Sequence, residues 1–417
     1  MNWPSKFSQQ TARMRRSAVR ELLKLTAQPD MISFAGGLPA PELFPVQEIQ
    51  AAAEVAMKHQ GARALQYGET EGIAELRDWL ATQHSTPWRK VHRSNVLITS
   101  GAQQALDLFG RIFIDPGDRV LVEDPTYLAL LSAWRPLQPE FVGIPGDDGG
   151  LDLTALKGAL PGSKVLYTIP NFQNPQGTTL ALDRRQQVVD LVQATGTVIL
   201  EDDPYGMLRY SGRPLPSLFE LEAQSSAEGS QTPRWNTILV GTFSKVFAPG
   251  FRLGWAIGPE AVIDKMVQAK QAMDLHTSTY NQIIAMELVR QGVLDRQLPR
   301  LRRAYGQRRD AMLAALDRHM PAGVRWTRPE GGMFLFATLP EDWDATTLLA
   351  ECLHQKVAFV PGEEFHTSGR GRNTLRLNFS NATPELIEEG IRRMGSVFGK
   401  HAALETRPAL EANAQAI

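Results

Sequence analysis

From Val96 onward, short apolar runs rich in β-branched residues alternate with stretches whose apolar positions recur at helical spacing. The runs are VLITS, RVLVED, EFVGI, KVLYTIP, GTVILED, TILVGTF and LGWAIG. Near-continuous apolar strands separated by helical segments describe a mostly parallel sheet covered on both faces. Helices are predicted in GAQQALDLFGRIF, closed by the turn DPGD, and in LDRRQQVVDLVQAT, which opens after a polar loop. A long helical pattern then runs from about Glu260 to Met320, interrupted near RQGVLDRQL, and carries the chain away from the sheet.

After this helix the period changes. GMFLFATL, KVAFVPG and TLRLNFS alternate with helices and read as a smaller α+β domain. The expected division is an N-terminal segment over residues 1–45, which covers the site and joins the small domain, a large domain over 46–290 and the small domain over 291–417. Residues 1 to about 30 and the tail HAALETRPALEANAQAI fit neither sheet, and the tail reads as frayed helix or disorder. No internal repeat or low-complexity segment is found.

Composition narrows the classes. A chain of 417 residues exceeds one simple core, and 43% hydrophobic with 21% charged residues describes an ordinary globular protein. With 44 basic against 45 acidic residues, the net charge of −1 gives no reason to expect nucleic acid or an anionic membrane as partner. No apolar run approaches the ~20 residues that span a bilayer, and MNWPSKFSQQTARMRRSAVR has no secretory core, so a cytoplasmic protein is expected. The single Cys352 excludes an internal disulfide and a cysteine-rich metal site, and its helical setting in LLAECLHQ predicts a buried structural thiol.

Open parallel sheets bind ligands at the carboxyl ends of their strands, and chemistry-bearing residues collect there. SGAQQALDLF leads straight into a helix start, which is either a phosphate site or an ordinary turn. EDPTYLAL sets Tyr127 on a loop, to stack on a flat ligand or to pack an edge. In IPNFQNPQG, Asn174 could hold a phenolic oxygen or serve the turn. VILEDDPYG puts carboxylates at the end of a buried strand, which is costly without a partner. With no histidine or cysteine nearby, a protonated ring nitrogen suits Asp202 better than a metal, and Tyr205 adds a hydroxyl.

GTFSKVFAPGFRLGW follows the sixth run and sets Lys245 among small residues, with Arg252 on the same loop. A nucleophilic lysine at neutral pH must be desolvated or lie near another cation, and Arg252 is one candidate neighbour with a planar fork suited to phosphate. Taken together, these groups need one flat ligand carrying a phosphate, a protonated ring nitrogen, a phenolic oxygen and an aldehyde, which is pyridoxal 5'-phosphate.

The same residues resemble the class I/II aminotransferases of fold type I, over residues 15 to about 395. FAGGLPAPELFP, LQYGETEGIAELR, SGAQQ, DPTY, NPQG, EDDPY, TFSK with FRLGW, and LRLNFS stand in the family's order, most like the 2-aminoadipate and kynurenine aminotransferase subgroup. The resemblance implies a large domain with a mostly parallel seven-stranded sheet, a smaller α+β domain and a homodimer. It implies that Lys245 binds the cofactor covalently and then moves the substrate proton. Asp202 pairs with the ring nitrogen, Asn174 and Tyr205 bond the phenolic oxygen, and Tyr127 stacks on the ring. Ala102 and Gln103 at the helix start, Ser244 and Arg252 take the phosphate, with Tyr67 donated by the other subunit. Arg376 holds the substrate α-carboxylate bidentately, as a guanidinium can. Two positions depart from the family pattern, Ala102 where serine is common and Gln176 where threonine is usual, and neither removes a group the chemistry requires.

Two further features concern the substrate. SAVRELLKL looks like the subgroup's mobile N-terminal cover, with Arg20 placed to meet a distal carboxylate or else lying solvated on an amphipathic helix. Gly37 lets backbone approach the substrate or serves a tight turn. The expected reaction is amino-group exchange between an L-amino acid (2-aminoadipate, glutamate, aromatic or branched-chain) and 2-oxoglutarate or another 2-oxo acid, in a ping-pong cycle. β-Elimination or decarboxylation on the same scaffold is the alternative, because one lysine serves all three. A regulatory module is the third reading, and the near-neutral chain shows no basic DNA-binding domain ahead of FAGGLP.

Overall fold

The computed structural model describes residues 1–14, 16, 20–22, 28, 30–229 and 235–414, apart from the side chains of 227–229 and 405–414. All seven apolar runs form strands of one sheet: β1 Val96–Thr99, β2 Arg119–Glu123, β3 Glu140–Ile144, β4 Ser163–Thr168, β5 Val198–Asp202, β6 Thr237–Thr242 and β7 Gly254–Ile257. Their order is β1-β7-β6-β5-β4-β2-β3. Five of them pair in parallel, while β7 runs antiparallel to both β6 and β1. Alternate residues are buried on opposite faces: Val120, Val122 and Leu200 join one core, and Leu121, Leu166 and Ile199 the other. That two-sided burial is why the strands read as continuous apolar runs.

The reversal at β7 matters for position. Gly254 stands opposite both Thr99 and Thr242, so the amino end of β7 lies beside the carboxyl ends of β1 and β6. Loop Phe243–Leu253 therefore borders the edge where ligands bind.

A second, antiparallel sheet holds β8 Arg325–Trp326, β9 Phe334–Thr338, β10 Val360–Pro361 and β11 Thr374–Asn378, in the order β8-β9-β11-β10. Its core includes Leu335, Leu377 and Ile387, together with Cys352, which is fully buried. The short strand β8 escapes the sequence pattern because two residues show no period. KVAFVPG is not one strand: Val357–Ala358 pairs in parallel with Ile32–Ser33, and Val360–Pro361 pairs with β11. Ile32–Ser33 is thereby tied, as a separate two-stranded pair, to the segment that leads into β10.

The long helical pattern resolves into Glu260–Asp274, Thr279–Arg290 and Val293–His319. One break falls at Gln291–Gly292, inside the expected interruption. The other, at Leu275, lies in DLHTS with no glycine or proline to mark it; the available signal is Ser278, whose side chain caps the next helix by accepting from the Asn281 N–H. The C-terminal stretch is helical from Pro384 to Ala414, so most of the tail extends a helix that packs on Val293–His319, and residues 415–417 lie outside the described residues. Among the described residues no helix is long and apolar enough to cross a membrane.

Candidate active site

A cavity of about 860 Å³ opens at the carboxyl edge of the large sheet and is closed on one side by Phe334 of β9 and Arg376 of β11. Arg20, Gly37, Ala102, Gln103, Tyr127, Asn174, Asp202, Tyr205, Ser244, Lys245 and Arg252 line it too. Tyr67 does not. It is 78% exposed, with its ring edge-on to His276.

Asp202 ends β5 and is 2% exposed. Its Oδ2 accepts a hydrogen bond from the Tyr167 hydroxyl at 2.9 Å, while its Oδ1 is buried with no partner among the described residues. Burial, and then the neighbouring Asp203 charge, push its carboxyl up to about 7 against the Tyr167 bond. A bound cation beside Oδ1 would restore the charged form and satisfy the orphaned oxygen. Sequence reasoning misses Tyr167, since a tyrosine in KVLYTIP reads as one more apolar strand position.

Lys245 lies in the turn after β6, which runs beside β5 with Asp202 opposite Val240. Its Nζ donates to the Gly37 carbonyl at 3.0 Å. Burial, reinforced by the Arg376 and Arg252 charges, lowers its pKa to about 8. The balance of charge around it is lopsided: Arg20, Arg252 and Arg376 share the cavity with Asp202, the one lining carboxylate among the described residues. Such a site favours an anionic ligand.

At the other end of the loop, Arg252 donates from Nη2 to the Ser100 carbonyl at 3.0 Å. Helix α1, Ala102–Phe113, starts here with Gly101 as its N-cap and no side chain capping it, which leaves the Ala102 and Gln103 N–H groups for a ligand. Gly101 has φ +83°, and a Cβ there would lie 2.4 Å from Arg252 Nη2. A Cβ on Gly254 would lie 2.5 Å from the Ala102 nitrogen. Both glycines let three backbone segments and a guanidinium converge on one point. Ser244 is buried beside them, its N–H donating to Thr242 Oγ1 at 3.1 Å. The Gln103 side chain donates to the Ala129 carbonyl at 3.2 Å and accepts from the Tyr127 hydroxyl at 3.4 Å, so the group it offers at the helix start is its backbone N–H.

Tyr127 begins the helix Leu128–Trp134, and burial with the Asp202 charge pushes its phenol up to about 12. Tyr205 is buried edge-on to Phe334, and burial holds its phenol protonated. Arg376 donates from Nη1 to Asn174 Oδ1 at 2.8 Å and from Nη2 to the Ala35 carbonyl at 2.8 Å. With its oxygen taken, Asn174 keeps its amide N–H donors, the groups a phenolic oxygen would accept from.

Arg20 heads the described helical residues 20–22, and Leu22 packs them down against Leu128, Phe336 and Phe365. Residues 17–19 and 23–25 of the expected cover lie outside the described residues. No group of three or more potential metal ligands occurs among the described residues.

The model of the family described as aminotransferase class I and II matches residues 30–394. The chain is 44% identical to aromatic-amino-acid aminotransferase 1 of Thermococcus litoralis, over 95% of each chain. It is 44% identical to 2-aminoadipate transaminase of Thermus thermophilus, over 95% of this chain and 97% of that one. Among solved structures, the alpha-aminoadipate aminotransferase of Thermus thermophilus, complexed with N-(5'-phosphopyridoxyl)-L-leucine, superposes with a TM-score of 0.89 at 42% identity, covering 97% of this chain and all of that one.

Proposed function

Because the chain belongs to the class I and II aminotransferases and is a transaminase that works with pyridoxal 5'-phosphate, we propose that it moves the amino group of 2-aminoadipate, glutamate, aromatic or branched-chain L-amino acids to 2-oxoglutarate or another 2-oxo acid, in a ping-pong cycle. The observation that carries this reading is a depressed lysine and an orphaned carboxylate oxygen in one cavity with a buried arginine that has no carboxylate partner among the described residues. When bound, the cofactor supplies an electron sink for the bond broken at the substrate's α-carbon. Asp202 would keep its ring nitrogen protonated, Asn174 and Tyr205 would donate to its phenolic oxygen, and Tyr127 would stack on its ring.

The N–H groups of Ala102 and Gln103, the Ser244 hydroxyl and Arg252 would hold the phosphate. Tyr67, exposed and outside the lining of its own cavity, would complete this site across a homodimer interface. Arg376 seats the α-carboxylate, which orients the α-carbon for Lys245. Lys245 removes and returns the proton there, in the neutral form that its lowered pKa makes accessible. The three divisions at residues 1–45, 46–290 and 291–417 assign Arg20 and Gly37 to the cover, most of these groups to the sheet edge, and Arg376 to the small domain. The enzyme works in the cytoplasm.

Purified protein supplied with the cofactor is expected to gain absorbance near the edge of the visible, and glutamate alone, without an oxo acid, is expected to convert it to the amino form of the cofactor. Failure to develop a chromophore would overturn the reading, and a half-reaction that released ammonia would favour a lyase.

Arg20 supplies a side-chain test. Its replacement by alanine is expected to raise KM for 2-aminoadipate and glutamate by about tenfold, the loss of one charge-assisted pair, and to leave leucine and phenylalanine within about twofold. Steady-state comparison of the four donors decides it. An equal rise for all four would remove Arg20 as a reader of the distal carboxylate.

A further inference from the structure

Arg376 is 3% exposed, and no acidic side chain pairs with it among the described residues. Its hydrogen bonds go to two neutral oxygens, those of Asn174 and Ala35, and its Nε has no partner among the described residues. Burial accordingly draws its pKa down to about 10. A guanidinium so far from water needs compensation. The structure supplies it from two aromatic rings: that of Phe334 lies 4.2 Å from Cζ and that of Phe365 4.9 Å.

We infer that Phe365 is a positioning residue for substrate carboxylate binding, its ring face holding Arg376 in place and charged without occupying any of its N–H donors. The inference deepens the proposed role of Arg376 and rests on it. A protein carboxylate in the same place would stabilise the guanidinium more strongly but would compete with the substrate for its donor edge. An aromatic face attracts the cation through the ring quadrupole and leaves the edge free. Phe334 lines the cavity and touches Tyr205, so its effects would be mixed. Phe365 is fully buried and does not line the cavity. Its ring is fixed edge-on to Phe336, and its carbonyl accepts the Thr126 N–H at 2.8 Å. The ring beside the carboxylate-binding arginine is thus tied to the loop that carries Tyr127.

The test replaces Phe365 in the holoenzyme with mono-, di- and trifluorophenylalanine, which drain the ring face while nearly keeping its shape, and separately with leucine. KM for both the amino acid and the oxo acid is expected to rise stepwise along the series, to about tenfold for F365L and somewhat less for the trifluoro ring, with kcat within about twofold. Binding of glutarate, an unreactive dicarboxylate, followed by its perturbation of the cofactor spectrum, should weaken by the same factors, and cofactor affinity should not change. R376K run in parallel separates the two readings. If R376K raises KM steeply and the fluorinated series is flat, Phe365 has no positioning role. If R376K leaves KM unchanged, the carboxylate site lies elsewhere and both readings fail.

Discussion

Replacing Lys245 with alanine is expected to lower turnover by about 10⁴-fold or more while leaving the fold intact, because the change removes both the nucleophile and the proton carrier. The fold should tolerate it: among the described residues the amine makes one hydrogen bond, to the Gly37 carbonyl, and the cavity already gives the side chain room. Three readouts keep the result specific. Circular dichroism should match the parent, borohydride should no longer fix the cofactor to the chain, and a small primary amine added to the buffer should restore a fraction of the rate. The pKa of about 8 adds a pH signature. Burial and two arginines favour the neutral amine, so capture of the cofactor by wild-type apoprotein should quicken as pH rises towards about 8 and level off above it. A variant that still turned over would place the nucleophile at another lysine.

Asp202→Asn is expected to weaken cofactor binding by about 10²- to 10³-fold, the scale for removing one partner of a buried ion pair, and to lower kcat as well. Asparagine has nearly the same shape and can still accept from Tyr167. What it loses is the charge at Oδ1, the atom left without a partner. Titrating apoprotein with cofactor and following absorbance measures the affinity. An Asn variant that bound normally and turned over normally would show that Asp202 is a buried carboxyl of the sheet and no partner to the ring nitrogen.

Much of this site is legible in the sequence because its groups hang from strand ends. A strand announces itself by an apolar run, and polar residues that close the run, as Asp202 does, or stand in the loop just after it, as Asn174 and Lys245 do, are conspicuous. Interactions across the fold leave no such trace. The Arg376–Asn174 and Arg376–Ala35 bonds join segments far apart in sequence, and nothing local to TLRLNFS tells of them. Phe365 reads as a loop aromatic in EEFHTSG, and Tyr167 as core, because each owes its place to a partner on another element. The helix break at Leu275 is hidden for the opposite reason: the apolar period carries across it, and only a serine cap marks the restart.

The antiparallel placement of β7 has a consequence for how such an enzyme can change. Between parallel neighbours the chain must cross over, usually through a helix whose length is free to drift. Between β6 and β7 it simply turns back, and Lys245 and Arg252 sit on that one reversal. Insertions can accumulate in the helical parts of the crossovers, beyond Tyr127, Asn174 and Tyr205, without disturbing the chemistry, but a residue added between Lys245 and Arg252 would shift one grip on the cofactor relative to the other. This short reversal works as a ruler set to the length of a single molecule, and substrate range can diversify around it only where the ruler does not reach.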